Sequence, residues 1–258
     1  MNTLKLIAFG LATLPLFTGC ETVSQIASSL PQQPTGTIGS VGSTTTSPST
    51  ITQTEAASGI KQALSNGLNN SINNLSIKDG FLGNAAVKIL MPEEAQRVEK
   101  ALRSVGMGSL CDKFIQSLNR AAESAVKEAA PVFVNSLSQM TVTDAFNILI
   151  GSKQDAATEY FKRTTSTTLT SKFSPIVDKA LGQNNVSSHW TQLTSAYNAL
   201  PIATNKVQTD LNAYVTQKAI DGLFFKVAEE ELKIRQNIAG SRNTGILDKV
   251  FGWADKQK

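Results

Sequence analysis

The stretch QTDLNAYVTQKAIDGLFFKVAEEELKIRQ, residues 208–236, decides the fold of this chain. At 100° per residue, one set of its side chains forms a stripe along a helix: Thr216, Ile220, Leu223, Val227 and Ile234. A second set falls on the opposite side: Tyr214, Phe225 and Leu232. A helix that is apolar on two sides is usually buried between layers of other helices. We therefore predict that this long helix lies at the centre of the domain.

The rest of the chain shows helical spacing nearly throughout, and strand-like alternation flanked by turn residues does not occur. A first helix is indicated by apolar residues at every fourth position: Ile60, Leu64, Leu68 and Ile72. Trp190 and Phe251 lie in two further segments with helical spacing. The sequence therefore predicts an all-α fold, a single helical, bundle-like domain over residues 55–258.

Turn and boundary residues divide this pattern into separate helices. Asp79-Gly80 indicates a turn, and residues 84–90 then have the spacing of a short helix. Pro92 suits the first turn of the next helix, which Gly106 ends. Four side chains of that helix are predicted to face the core: Ala95, Val98, Leu102 and Val105.

Two longer helical segments contain predicted breaks. Ser109 is predicted to begin a long helix that reaches about residue 140, and Pro131 should kink or divide it because proline lacks a backbone donor. The hydroxyl groups at residues 164–168 can bond their own backbone, so we expect a weakened helix there. Pro175 predicts a further break.

Two pairs of polar residues have the spacing of a helix N-terminal cap. Thr141 and Asp144 resemble such a capping pair for a short helix. Ser152 and Asp155 repeat the spacing and predict the start of the next helix.

A first polar cluster joins Asn119-Arg120 with Glu123 and Lys127. Arg120 lies nearly opposite the apolar arc of its helix, and Glu123 precedes Lys127 by four residues. This spacing is typical of a solvated ladder of ion pairs, each worth a few tenths of a kcal/mol. Asn119 lies closer to the apolar border and could bond a neighbouring helix.

A second polar cluster consists of Glu229-Glu230-Glu231 and Arg235. Successive helical residues step by 100°, so this run must place Glu230 and Glu231 beside the apolar stripe. A carboxylate near a core must be paired or have its pKa raised. The cluster therefore predicts a partly buried ion pair, with a ligand-binding or acid–base site and ordinary exposure as alternatives.

The sequence offers little for metal, cofactor or nucleic-acid chemistry. His189 is the one histidine, and neither CxxC nor HExxH occurs, so no metal site is expected. Neither a GxSxG elbow nor a phosphate-binding glycine loop is present, and we expect no cofactor and no enzymatic activity. The formal net charge is +4 at pH 7, but basic residues do not cluster as nucleic-acid binding requires. Cys111 lies among apolar neighbours and is predicted to be a small core residue.

The first residues have the features of a bacterial export signal. Lys5 precedes an apolar run at residues 6–16, which is too short for the roughly 20 residues of a membrane-spanning helix. The sequence LFTGC at residues 16–20 resembles the bacterial lipoprotein box, with residues 1–19 as the signal peptide. The resemblance implies that the sulfur of Cys20 carries diacylglycerol. The alternative is a cleaved secretory signal followed by an incidental cysteine.

A tether is predicted between this cysteine and the helical domain. Residues 20–54 include the segment at residues 28–50, which is rich in Ser, Thr, Gly and Pro and has no charged residue. Such a segment cannot bury enough apolar surface to offset its ordering entropy, so we expect disorder. Lipoproteins kept at the inner membrane typically carry Asp after the cysteine. Glu21 at this position implies, by resemblance, the periplasmic face of the outer membrane.

Separated motifs of the helical part resemble the bacterial domain-of-unknown-function 4197 family (DUF4197). These motifs are Asp79-Gly80-Phe81 with Asn84, Leu102-Arg103-Ser104-Val105-Gly106, Asn119-Arg120-Ala121-Ala122-Glu123, Met140-Thr141-Val142-Thr143-Asp144-Ala145, Ala156-Ala157-Thr158-Glu159-Tyr160-Phe161, Phe173 with Pro175, Tyr214-Val215-Thr216, Ala219-Ile220-Asp221-Gly222-Leu223-Phe224, and Glu229-Glu230-Glu231 with Ile234-Arg235. The resemblance implies an envelope protein without an assigned activity, so it supplies no catalytic residues.

Three functions are compatible with these observations. The preferred hypothesis is a lipid-anchored binding or scaffolding module of the cell envelope, with a membrane anchor and an envelope protein or lipid as partner. The alternative is a carrier of a small apolar or lipid ligand in an interhelical pocket, with Glu230, Glu231 or Arg235 as its polar contact. The third is an enzyme that uses a carboxylate pair such as Glu231 and Asp144.

Overall fold

The computed structural model describes residues 51–201 and 210–257, and this part of the chain folds into nine α-helices without a strand. The helices are α1 Gln53–Ser76, α2 Gln96–Ser104, α3 Gly108–Val126, α4 Ala129–Gln139, α5 Val142–Ile150, α6 Ala156–Gln183, α7 Val186–Asn198, α8 Leu211–Arg235 and α9 Gly245–Asp255. The predicted all-α fold is confirmed. The predicted signal peptide, Cys20 and the tether up to residue 50 lie outside the described residues. Among the described helices, none combines the length and apolar character needed to cross a bilayer.

Helix α8 is the central element, as predicted, because it packs against α1, α3 and α6. Its inner stripe is buried: Leu223 is fully inaccessible, and the other four side chains are nearly so. The prediction of a second buried side is wrong: Phe225 is 43% exposed, and Tyr214 and Leu232 are only partly covered. One side of the central helix therefore reaches the surface.

Aromatic side chains connect the layers of the core. Phe133 of α4 makes edge-to-face contacts with Phe161 of α6 and Phe224 of α8, at ring-centroid distances of 5.4 Å and 6.2 Å. Such pairs are worth about 0.5–1.5 kcal/mol beyond the area they bury. Cys111 is fully buried, as predicted, and burial raises the pKa of its thiol. Val105, in contrast, is 50% exposed and does not face the core.

Residues 84–90 do not form the predicted short helix. Asp79 adopts a left-handed backbone conformation with φ of 66°, and turns follow it up to residue 87. The Lys88 N–H closes the last of these turns on the carbonyl oxygen of Asn84, and residues 89–91 then run without helical hydrogen bonds towards a short 3-10 turn, Glu93–Ala95. Contacts with Asn119 of α3 hold this segment in place of helical hydrogen bonds.

The predicted helix from Ser109 to residue 140 is divided, as the proline indicated. Helix α3 begins at Gly108, so Ser109 lies inside it rather than capping it. Pro131 is the third residue of α4. Proline is tolerated there because the N–H groups of the first turn have no partner within the helix.

Helix α6 continues through Pro175, so the predicted break there is wrong. It is also continuous through residues 164–168, where the hydroxyl groups bond the backbone as predicted. The hydroxyl group of Thr165 donates to the carbonyl oxygen of Phe161 at 2.6 Å, and Thr164 bonds Tyr160 at 2.9 Å in the same way. These bonds return to the preceding turn of the same helix. Phe173 and Val177, on either side of Pro175, are fully buried. Burial of these side chains holds the helix continuous.

Candidate functional site

The carboxylate of Glu231, on α8, binds the start of α6. The backbone N–H groups of Ala157 and Thr158 donate to its two oxygens at 3.0 Å and 2.9 Å, and the Thr158 hydroxyl donates at 2.9 Å. The predicted cap from Ser152 is absent: Asp155 precedes the helix and makes no side-chain cap. A carboxylate from a distant helix therefore satisfies donors that lack a partner within α6.

Arg235, one turn after Glu231, binds the end of α5. Its guanidinium donates to Glu231 at 2.8 Å and 3.0 Å and to the carbonyl oxygen of Ile148 at 2.8 Å. Both side chains of the pair are 4% exposed. A negative group thus lies at the N-terminus of α6 and a positive group at the C-terminus of α5, as both helix dipoles favour. The ion pair joins α5 and α6 to the central helix.

The other members of this cluster also have protein partners. Glu230 accepts hydrogen bonds from Asn70 of α1 at 3.1 Å and from Lys233 at 2.6 Å. Glu229 is partly exposed and pairs with Lys226. The cavity beside Glu231 and Arg235 measures about 10 Å³, and one water molecule already needs roughly 10–15 Å³. The cluster therefore stabilises the fold and leaves no room for a lipid chain.

Asn119 holds the segment that the sequence predicted to be helical. Its side-chain oxygen accepts the N–H of Ile89 at 2.9 Å, and its amide nitrogen donates to the carbonyl oxygen of Ile89 at 2.8 Å. The same nitrogen donates to the carbonyl oxygen of Ile115 at 2.7 Å. Asn119 is fully buried. It therefore replaces the helical partners that Ile89 lacks.

Arg120 and Glu123 hold the preceding turn. Glu123 accepts the N–H of Phe81 at 3.3 Å and the guanidinium of Arg120 at 2.7 Å, and Arg120 also binds Asp79 at 2.8 Å. Burial lowers the pKa of Arg120, but the hydrogen bonds that it donates to Glu123 and Asp79 outweigh this effect and leave a raised pKa. The predicted solvated ladder is wrong, because Glu123 is buried and pairs with Arg120.

Asp144 is part of a capping box, as the spacing with Thr141 predicted. The N–H of Asp144 donates to the Thr141 hydroxyl oxygen at 3.0 Å, and the Asp144 carboxylate accepts the Thr141 N–H at 3.1 Å. The hydrogen bonds from Thr141, first from its hydroxyl group, lower the pKa of Asp144. Asp144 and Glu231 thus serve two separate hydrogen-bond networks at different helix ends.

A groove of about 630 Å³ lies between the segment at residues 86–96 and the exposed side of α8. We call it the α8 groove. Residues 86–91 with Glu93, Glu94 and Gln96 form one wall; α8 forms the other with Tyr214, Lys218, Asp221, Gly222 and Phe225. Leu90 is 57% exposed and Phe225 is 43% exposed. A second groove, of about 550 Å³ between α6 and α8, shares Asp221 and Phe225 with it.

The polar groups of the α8 groove are weakly engaged by the protein. The hydroxyl group of Tyr214 donates to the carbonyl oxygen of Leu90 at 3.1 Å. Burial, and then the charges of Glu94 and Glu93, raise the pKa of Tyr214. Within residues 51–201 and 210–257, the groove residues Lys88, Glu93, Glu94, Lys218 and Asp221 form no salt bridge. Asp221 accepts a hydrogen bond from Gln217 at 2.8 Å, and the Lys218 ammonium lies over the Tyr214 ring. The charges of Lys88, Glu93 and Glu94 are therefore the ones available to a partner.

Gly222 lets α8 pack closely against Phe81 and Val87, beside the opposite wall of the α8 groove. A Cβ atom at this position would lie 2.7 Å from the Phe81 ring and 3.3 Å from Val87. We expect Gly222→Ala to lower the free energy of unfolding by about 1–2 kcal/mol, because overpacking against a fully buried ring outweighs the better helix propensity of alanine. Urea denaturation monitored by circular dichroism measures this change.

Gly252→Ala in α9 is the matched control. No heavy atom lies within 4 Å of a Cβ atom built there. Alanine at that position should therefore raise the free energy of unfolding by up to about 1 kcal/mol. Equal effects of the two substitutions would show that Phe81 does not constrain Gly222.

No constellation for metal or nucleophilic chemistry accompanies the groove in the described part of the chain. No three His, Cys, Asp or Glu side chains converge there as metal ligands would. His189 lies in α7, with its Nδ1 atom 3.4 Å from the hydroxyl oxygen of Ser117. The Ser117 hydroxyl group also donates to the carbonyl oxygen of Phe114 at 2.8 Å, a residue of the same helix, α3.

Sequence patterns identified the residues of the two polar clusters but did not predict the α8 groove. The groove depends on residues 86–91 leaving the helical path, and on Phe225 facing solvent. One signal was present: Asn119 lies at the apolar border of α3, where a buried amide needs a partner.

Comparisons with known proteins identify a family and no activity. A family model described as "Protein of unknown function (DUF4197)" matches residues 50–252. No curated protein and no solved structure matches the chain.

Proposed function

The chain belongs to the DUF4197 family, and because the function of this family is unknown, we propose one from the geometry of the site. The proposed function is a binding module that holds a protein partner of the cell envelope in the α8 groove. The single observation that carries it is the groove itself, where Leu90 and Phe225 are exposed beside charges that form no salt bridge within the described residues. Exposed aromatic side chains next to such charges are typical of interaction surfaces.

The polar residues elsewhere support binding rather than catalysis. Glu231, Arg235, Asn119 and Glu123 each complete hydrogen bonds that hold two parts of the fold together. A general acid or base must instead reach a substrate. The carrier alternative has little support, since the space beside Glu231 and Arg235 is about 10 Å³.

We further propose that the protein is a lipoprotein of the outer membrane that faces the periplasm. The support is the sequence LFTGC at residues 16–20 and Glu21 after the cysteine. Two or more acyl chains hold a protein stably on a bilayer, because each buried methylene contributes about 0.8 kcal/mol.

Cys20→Ser tests this anchor. We expect the variant to lose incorporation of labelled palmitate and to leave the membrane pellet after cell fractionation. Cys111→Ser is the matched control, because Cys111 is buried in the core and should leave both results unchanged. Full retention of the Cys20→Ser protein in the pellet would contradict the anchor.

Photocrosslinking in living cells tests the groove. A benzoylphenylalanine residue at position 225 of the full chain should yield a discrete adduct with another protein. The same residue at position 134 is the control, because Val134 is 64% exposed and lies on α4, away from the groove-lining residues. No adduct at position 225, or the same adducts from both positions, would reject the groove as the binding site.

A further inference from the structure

The wall of the α8 groove contains a short strand-like stretch of backbone around Ile89. One side-chain amide, that of Asn119, binds both the N–H and the carbonyl oxygen of Ile89. A single amide reaches both groups only when they point to the same side, as they do in an extended strand. In an extended strand the backbone groups of the neighbouring residues point the opposite way. The Lys88 carbonyl oxygen and the backbone groups of Leu90 therefore point away from α3, whereas the Lys88 N–H donates to the carbonyl oxygen of Asn84 at 2.8 Å.

Tyr214 shows which way the backbone groups that point away from α3 face. Its hydroxyl group bonds the carbonyl oxygen of Leu90, so this side of the backbone faces α8 and the groove. The N–H of Leu90 should point the same way as its carbonyl group. Within residues 51–201 and 210–257, neither the N–H of Leu90 nor the carbonyl oxygen of Lys88 has a hydrogen-bond partner in the protein. A donor and an acceptor therefore face the groove at the spacing of a sheet edge.

Side chains around this edge define what can pair with it. Phe225 and Leu90 offer apolar surface to a side chain of the partner. Glu93 and Glu94 lie at the end of the wall, and their charge already acts on Tyr214. A positive group of the partner would complement these two carboxylates.

We propose that the α8 groove binds an extended peptide segment of a partner protein by strand pairing with residues 88–90. The segment contributes backbone hydrogen bonds to Leu90 N–H and Lys88 carbonyl oxygen, an apolar side chain against Phe225, and a basic side chain near Glu93 and Glu94. Main-chain bonds supply affinity in this mode of recognition, and alternate side chains supply specificity. The proposal rests on the proposed function, because it identifies the chemistry of the partner at that site.

The probe is the peptide acetyl-Lys-Val-Thr-Val-Lys-amide, titrated into the isotopically labelled full chain carrying Cys20→Ser. We expect the Leu90 amide resonance to shift with the resonances of Lys218 and Phe225. Replacing both lysines of the peptide by glutamate should weaken binding at least about fivefold, since the favourable charge contact with Glu93 and Glu94 becomes unfavourable. Methylation of its three central amide nitrogens should abolish the shift at Leu90.

Variants of the protein separate charge from strand pairing. A Glu93→Gln, Glu94→Gln double variant should remove the preference for the lysine peptide, whereas Glu128→Gln, an exposed position away from the groove, should preserve it. An unchanged Leu90 resonance, or equal binding of the methylated peptide, would overturn the proposal. Vesicles of phosphatidylethanolamine and phosphatidylglycerol that shift the same resonances in place of the peptide would overturn it too. In each of these cases, a discrete adduct at position 225 in cells would still support the groove as a protein-binding site, so the two proposals fail separately.

Discussion

Glu231→Ala is expected to lower the free energy of unfolding by about 3–5 kcal/mol, the range for removing one partner of a buried ion pair. The Arg235 side chain is 4% exposed, so it would stay buried without a counter-charge. The N–H groups of Ala157 and Thr158 would also lose their acceptor at the start of α6. Chemical denaturation followed by circular dichroism at 222 nm measures the loss.

Glu229→Ala is the matched control for this prediction. It makes the same chemical change two residues earlier on the same helix, but Glu229 is 40% exposed and its pair with Lys226 is only partly buried. Its effect should remain within about 0.5 kcal/mol. If both variants lost the same free energy of unfolding, burial of the Glu231 carboxylate would not explain the cost of removing it.

A double variant tests why the single change is costly. Glu231→Leu with Arg235→Met replaces the ion pair by apolar side chains, which leaves no isolated charge in the core. We expect this variant to be more stable than Glu231→Ala. If it is less stable, the loss comes from the uncapped ends of α5 and α6 rather than from the unpaired guanidinium.

The features that sequence patterns predicted depend on neighbours close along the chain. The inner stripe of α8 follows from helical spacing, and the capping box at Thr141 and Asp144 involves residues three positions apart. Both therefore leave a local signature that one sequence can show. The division between α3 and α4 near Pro131 belongs to the same class.

The features that sequence patterns missed depend on distant partners. Residues 84–90 have helical spacing, but Ile89 is bound by an amide thirty positions later in the chain. The carboxylate that caps α6 lies 73 and 74 positions after the N–H groups that it accepts. Arg242 caps the carbonyl oxygens of Ile234 and Arg235 at the end of α8 in the same non-local way. Local propensity is a weak prior when buried tertiary contacts of this kind compete with it.

The α8 groove is a consequence of these non-local contacts. Asn119 binds both backbone groups of Ile89 and holds this segment against α3, and Glu123 with Arg120 fixes the turn before it. The polar cluster on α3 thus shapes the wall of the groove without lining it. A change at Asn119 should therefore affect both stability and binding.

Asn119→Asp is expected to lower the free energy of unfolding by about 2–4 kcal/mol, although the two side chains have nearly the same shape. A carboxylate can still accept the N–H of Ile89, but it cannot donate to the carbonyl oxygens of Ile89 and Ile115, which now bond the amide at 2.8 Å and 2.7 Å. Each buried polar group left without a partner costs about 1–3 kcal/mol. Hydrogen exchange at residues 86–91 should accelerate, since their main anchor is weakened.

The pH dependence of this loss distinguishes a missing donor from a general packing defect. The new carboxyl group can donate one hydrogen bond while it is protonated, and a charged carboxylate is disfavoured in a buried site. The loss of stability should therefore be smaller at pH 4 than at pH 8, because the unfolded state releases the proton more readily than the folded state. Asn69→Asp, at an exposed position of α1, is the control and should change stability by no more than about 0.5 kcal/mol at either pH. A loss at Asn119→Asp that does not grow between pH 4 and pH 8 would contradict the role of Asn119 as the donor that keeps the groove wall extended.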